Sequence, residues 1–232
     1  MKNTKIIGMI GGVGPQSTNY IYKKIISLSQ KKYGAKNNDD YSEMIIHSVP
    51  IPDFISNKEK INDALQMLKN SVKLLTYAGV SALAIGSNTV HILLDELRKV
   101  TDVKFISTIE LVAKKCAKRN YKTVALLGSP VLIKSGIYEK ELSKYKIKTL
   151  IPSEQEITVL DHMIRSVLAG KKEHEKRNQY VQLINRLYSE DAEAVILGCT
   201  ELPMAINYEA LGDRMLNSDE ILAEGIVDYY YK

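Results

Sequence analysis

A chain of 232 residues with 45% hydrophobic residues can build one large core or two small ones. Its formal charge of +5, from 32 basic and 27 acidic residues, is a mild excess, and the densest run, Lys171 to Arg177, is interrupted by Glu173 and Glu175. That is the pattern of a solvated helix face rather than a nucleic-acid patch, no apolar run is long enough for a membrane span, and two distant cysteines do not make a disulfide framework.

The N-terminus runs straight into an apolar strand, Ile6 to Ile10, without the layout of a signal peptide, so a cytoplasmic protein is expected. Gly11-Gly12-Val13-Gly14-Pro15 follows this strand and opens a helix. Glycines there let the backbone approach a ligand, and helix N-terminal amides favour anions. A dinucleotide fingerprint needs a glycine where Ser17 stands and an acidic residue where Ser48 and Val49 stand. A loop for a carboxylate fits better; a tight turn without a ligand is the plain alternative.

Further β-rich runs lie near 43–49, 81–86, 103–106, 122–127, 146–150 and 193–198. Lys58 to Tyr77 carries Ile61, Leu65, Leu68, Val72 and Leu75 at spacings of three and four, a helix with one buried face. Ser87 and His91 are four apart in Ser87-Asn88-Thr89-Val90-His91, which suggests a Ser–His hydrolase. Glycine is absent from positions 85 and 89, however, so this is not a nucleophile elbow. The plain reading makes Ser87 a helix N-cap and His91 a packing residue. Cys116 lies in a helical run, Glu110 to Arg119, and reads as structural. Ser153-Glu154-Gln155-Glu156 is a capping box that opens a helix through Leu168, ended by Gly170. Tyr180 to Tyr188 is helical again, and a final helix at about 218–231 is expected to pack on the first half.

Strands alternating with helices predict an α/β protein with parallel, Rossmann-like sheets covered on both faces. The half-domain pattern occurs twice. Ala82-Leu83-Ala84-Ile85-Gly86-Ser87-Asn88-Thr89 matches Ala194-Val195-Ile196-Leu197-Gly198-Cys199-Thr200-Glu201, and each is preceded by a strand–glycine–Pro opening at Lys5 to Pro15 and Lys122 to Pro130. Two pseudo-symmetric domains are therefore expected, 1–108 plus 207–232 and 109–206, with the ligand cleft between them. Right-handed crossovers put the loops after the strands on one edge, where open sheets bind ligands. At such a strand end Cys199 precedes a helix, where a thiol can fall below its free value of about 8.5 and act as a base or nucleophile. No His, Cys, Asp and Glu cluster has metal-ligand spacing, so no metal is expected.

The opening Gly11-Gly12-Val13-Gly14-Pro15 with Thr18, Ser87-Asn88-Thr89-Val90-His91, Ser135-Gly136-Ile137-Tyr138 and Gly198-Cys199-Thr200-Glu201-Leu202-Pro203 together resemble the aspartate/glutamate racemase superfamily, most of all its aspartate racemase branch. The resemblance spans nearly the whole chain. It implies a homodimeric enzyme without PLP or another cofactor, acting on a small anionic amino acid. Two cysteines then flank the substrate α-carbon, one removing a proton and the other supplying one. Carried onto this chain, Cys199 is one catalytic residue and Ser87 holds the place of the other cysteine. Gly12, Gly14, Asn88, Thr89 and Thr200 would hold the substrate and steady the developing carbanion. Phe54 stands where that branch often has an arginine for the side-chain carboxylate, and Lys171 is the substitute candidate. Three explanations of Ser87 remain open: an engineered replacement, a racemase biased toward one enantiomer, or a single-cysteine relative such as a decarboxylase. A non-catalytic dicarboxylate-binding protein is the alternative from another class.

Overall fold

The computed structural model describes residues 5–52, 58–170, 177–205 and 208–232. The chain divides into two compact units, Met1–Thr108 with Asp219–Lys232, and Ile109–Ser218. In the first unit lie β1 (Ile6–Gly11), α1 (Pro15–Tyr33), β2 (Glu43–Ser48), α2 (Ile61–Tyr77), β3 (Ala82–Ile85), α3 (Leu94–Arg98) and β4 (Lys104–Ile106). From α4 (Thr108–Lys118) the second unit continues through β5 (Thr123–Leu127), α5 (Pro130–Ser135), α6 (Ile137–Ser143), β6 (Lys148–Leu150), α7 (Glu154–Leu168), α8 (Arg177–Ser189), β7 (Ala194–Leu197), α9 (Leu202–Ala205) and β8 (Met215–Asn217). Finally α10 (Ser218–Tyr231) returns to the first unit.

Each unit contains one four-stranded sheet, ordered β2-β1-β3-β4 in the first and β6-β5-β7-β8 in the second. All pairings are parallel. The two orders are the same pattern, so the repeat seen in the sequence is a repeat of topology. The strands that flank the reactive positions, β3 and β7, are buried at every residue. A strand covered on both faces must be apolar throughout, which is why Ala82-Leu83-Ala84-Ile85 and Ala194-Val195-Ile196-Leu197 do not alternate.

Local chemistry sets the helix ends. α1 starts after Gly14, whose φ of 81° is left-handed, with Pro15 at its first position, and it stops at Gly34 with φ 71°. In α2, Ala64, Leu68, Val72 and Leu75 form the buried stripe, joined by Leu83, Ile85 and Leu97 in one core. The capping box of α7 is formed: Ser153 N–H donates to Glu156 Oε2 (2.8 Å) and Glu156 N–H to Ser153 Oγ (3.4 Å). Glu156 also accepts from Arg186 Nε and Nη2, both at 2.7 Å. Burial opposes ionisation of Glu156, but Arg186 and Ser153 hold its carboxyl below the ordinary range.

Helix α10 docks through Ile221, Leu222, Ile226 and Val227, all buried. Burying side chains of this size stabilises by roughly 1.5–3 kcal/mol each. Polar clamps fix its register: Lys5 Nζ donates to Tyr229 C=O (2.8 Å), Tyr20 O–H to Glu220 (2.9 Å), and Lys32 and Tyr33 O–H reach Asp228 at 2.6 and 3.0 Å. The Tyr33 and Tyr231 rings stack with centroids 4.4 Å apart.

The C-terminal boundary differs from the sequence expectation. Residues 208–218 belong to the second unit because β8 pairs with β7, Val195 opposite Met215 and Leu197 opposite Asn217. Only from Asp219 does the chain rejoin the first unit. A three-residue strand with two apolar side chains carries too weak a pattern to be read from sequence.

Candidate active site

In the first unit, the Gly12–Gly14 turn follows β1 and Ser87 follows β3. These strands are hydrogen-bonded neighbours, and Gly86 N–H extends the ladder to Ile10 C=O at 2.9 Å. Gly12, Gly14, Ser87, Asn88 and Thr89 therefore share one sheet edge. The glycines are required by packing. A Cβ on Gly12 would lie 2.5 Å from Val49 N, and one on Gly11 would lie 2.5 Å from the Thr18 side chain. The Gly12 N–H donates to Thr18 Oγ1 at 3.0 Å, so this amide is already engaged within the protein.

Ser87 is half-buried, and Asn88, Thr89 and His91 are buried behind it. Thr108 N–H donates to His91 Nε2 (3.2 Å), so that nitrogen carries no proton. The proton sits on Nδ1, which lies 2.8 Å from Ser87 C=O, a group that can only accept. Both imidazole nitrogens are thus bound to the backbone. His91 anchors the Ser87 turn and is not disposed as a base for the Ser87 hydroxyl.

The second unit repeats the edge with different chemistry. Gly198 N–H donates to Leu127 C=O at 2.7 Å, the counterpart of the Gly86 bond, and Cys199 follows. Cys199 is half-buried and forms no disulfide. Its thiol donates to Glu201 Oε2 at 3.0 Å, and Thr200 Oγ1 donates to the same oxygen at 2.7 Å. Thr200, expected to hold substrate, here holds Glu201. Glu201 itself is only 6% exposed. The helix that follows, α9, is a single turn, which limits the dipole acting on the sulfur. The hydrogen-bond acceptor for the thiol is the Glu201 carboxylate. Glu201 lies in the Gly198–Pro203 motif without a role legible from sequence; its signal there is an acidic residue two positions after a cysteine in a strand-to-helix turn.

Cys116 is different. It is fully buried in α4, and desolvation pushes its thiol up to about 12. Lys171 and Phe54 lie outside the described residues. Among the described residues, no group of three or more His, Cys, Asp or Glu side chains could hold a metal ion, and no helix is long and apolar enough to cross a membrane.

Comparison with known proteins gives this geometry a lineage. The chain is 29% identical over 233 residues to the broad specificity amino-acid racemase RacX of Bacillus subtilis (strain 168), covering 97% of this chain and 98% of that protein. The crystal structure of an aspartate racemase homologue from Pyrococcus horikoshii OT3 is 33% identical, with a TM-score of 0.83 over 99% of this chain and 100% of that one. An aspartate racemase from Picrophilus torridus is 29% identical, also at 0.83, over 98% of this chain and 95% of its own. Its two parallel sheets match the two-domain fold of these structures. The Asp/Glu/Hydantoin racemase family matches residues 10–223, nearly the full length, and the chain belongs to that family.

Proposed function

We propose that the protein is a cofactor-independent amino-acid racemase acting on aspartate or a related acidic amino acid, with proton transfer at the α-carbon centred on Cys199. The observation that carries this reading is the 3.0 Å bond from the Cys199 thiol to Glu201 in a chain of a racemase family. Glu201 takes the thiol proton, and the thiolate then removes the α-proton. The electron pair left on carbon passes into the substrate carboxylate. Returning a proton to the same face restores the substrate; delivering one to the opposite face inverts it.

Ser87 is the proposed donor for that opposite face. A hydroxyl is a far weaker acid and base near neutrality than a thiol, and His91 is engaged elsewhere. The reaction is therefore one-sided: exchange outpaces inversion. Asn88, Thr89 and the Gly14 turn are proposed to hold the α-carboxylate, with Gly12 contributing through its missing side chain. Lys171 is proposed for the side-chain carboxylate. The same serine favours a second reading, a single-cysteine decarboxylase or isomerase that needs only one protonated face.

Proton NMR in D₂O with pure L- and D-aspartate and glutamate tests the proposal. The expected result is α-proton exchange of one enantiomer faster than its inversion. No exchange with any of the four, by this chain or by Ser87→Cys, overturns it.

A further inference from the structure

The first unit carries a cavity of about 500 Å³ lined by Tyr22 and Ile25 of α1, Asp39 and Tyr41 of the connection to β2, Glu43 at the start of β2, and Tyr230 of α10. That volume is in the range of small-molecule sites. It lies at the other end of the sheet from Ser87. Glu43 pairs with Ile6, the first residue of β1, whereas Ser48 pairs with Gly11, at the edge that holds Gly12 and Ser87. The length of β2 separates these two ends by roughly 16 Å. The cavity is therefore no part of the candidate active site.

Its walls are held by the chain's own bonds. Gln30 Nε2 donates to the Tyr41 hydroxyl at 2.8 Å, and the Tyr230 hydroxyl donates to Tyr41 C=O at 3.4 Å. Asp40 fixes the turn beside it, accepting from Lys36 and Asn37 N–H at 2.8 and 2.7 Å. Ile25 and Tyr230 are buried, while Tyr22, Asp39 and Glu43 are exposed. A site shaped in advance loses little order on binding.

The lining selects for positive charge. The chain has 32 basic residues against 27 acidic ones, yet this lining holds two carboxylates and, among the described residues, no Lys, Arg or His. Asp40 is engaged with backbone amides, whereas the Asp39 and Glu43 carboxylates make no hydrogen bond or ion pair among the described residues. Tyr22, Tyr41 and Tyr230 add rings whose faces attract a cation and pack an aliphatic stem. An anion would meet two like charges, and an apolar ligand would strip water from both carboxylates without pairing them.

We propose that this cavity binds a small organic cation, an ammonium group on an aliphatic chain of a few carbons, with the charge held by Asp39 and Glu43 and the chain packed on Tyr22, Ile25 and Tyr230. Binding here is independent of the reaction proposed at Cys199, so the test reads occupancy and not turnover. Backbone amide NMR shifts of the full chain are followed during titration with cadaverine, pentanediol and glutarate, which share a length and are cationic, neutral and anionic. Cadaverine should give saturating shifts at Tyr22–Ile26, Asn38–Glu43 and Tyr230. The diol should bind several-fold more weakly, and glutarate should leave these amides unmoved. Raising the salt concentration should weaken cadaverine binding. Asp39→Asn combined with Glu43→Gln should weaken it about fivefold, the combined effect of two exposed ion pairs, and Tyr22→Ala about two- to fivefold. All three side chains are exposed, so these variants keep the parent fold and its amide spectrum. No saturating shift with cadaverine, shifts confined to other residues, equal affinity for the diol, or a double variant that binds as the parent does each overturn the proposal. Tighter binding of a blocked glycyl-lysyl-glycine peptide than of cadaverine overturns the small-molecule assignment in favour of a lysine on a protein partner.

Discussion

The Ser87 and Cys199 turns occupy the same place in two copies of one topology, yet their surroundings divide the work unequally. In both, a glycine N–H extends the ladder to the neighbouring strand, Gly86 to Ile10 and Gly198 to Leu127. Beyond that bond they diverge. Behind Ser87 stands a histidine whose two nitrogens are tied to backbone, an arrangement that fixes the shape of the turn. Beside Cys199 stands a buried carboxylate that accepts from the sulfur. The two turns share a frame, and what differs is the partner of each: backbone around His91 behind Ser87, a carboxylate at Cys199.

The most direct way to break this comparison is to remove the equipped side. Cys199→Ser should reduce α-proton exchange by about 10²–10⁴-fold, since a hydroxyl replaces the proposed base. Exchange by that variant near the parent rate would show that the first half can act alone. The complementary change sharpens the comparison: Ser87→Cys should raise inversion by roughly 10²-fold and leave the initial exchange rate of the favoured enantiomer within a few-fold. Both are read by proton NMR in D₂O, with chiral chromatography for inversion.

Glu201→Gln should be next in size. Its amide can still meet Thr200 but cannot take the thiol proton, and loss of a charged hydrogen-bond partner is worth about 1.5–3 kcal/mol, a ten- to hundredfold fall in exchange. An unchanged rate would separate Glu201 from proton transfer. His91→Phe should show the opposite profile. It removes two backbone anchors and should cost about 1–3 kcal/mol of stability by denaturant unfolding, leaving the choice of exchanging enantiomer unaltered. A reversed preference would return His91 to the chemistry.

The smallest effect lies in what secures each copy. Asp228 clamps α10 in the first unit. Burial opposes its ionisation, but hydrogen bonds from Lys32, Tyr33 and Lys232 hold its carboxyl below the ordinary value of 3.8. Because the folded value is depressed, the stabilisation is full above the unfolded value and is lost as pH falls through the lower folded one. At a partly exposed site it amounts to about 0.5 kcal/mol or less. Hydrogen exchange of the α10 amides should quicken slightly in Asp228→Asn at neutral pH, and the difference from the parent should vanish in strong acid. A difference that persists there would assign the effect to packing.

The elements legible in sequence were those whose own pattern is dense. Doubly covered strands such as β3 and β7 must be apolar throughout, so they announce themselves, and the Ser153–Glu156 box marks the start of α7 directly. β8 was not legible, because Met215–Asn217 is too short to show a period and exists through pairing with β7. At the candidate site the positions of Ser87 and Cys199 could be read from the repeat. What surrounds them could not. The engagement of both His91 nitrogens depends on Thr108 arriving just past the end of β4, and the Glu201 carboxylate reaches the Cys199 thiol only through the fold of the turn. The glycine turn was legible as a turn, but its packing against Thr18 and Val49 is tertiary.

The second unit is one uninterrupted stretch, Ile109–Ser218, whereas the first is completed only by Asp219–Lys232. On a ribosome the first unit is begun early yet lacks α10 until Asp219–Lys232 has been made, so the unit made second can close before the unit made first. The order of maturation can then reverse the order of translation, and until α10 is made the apolar seat of Ile221, Leu222 and Ile226 stays open to quality control.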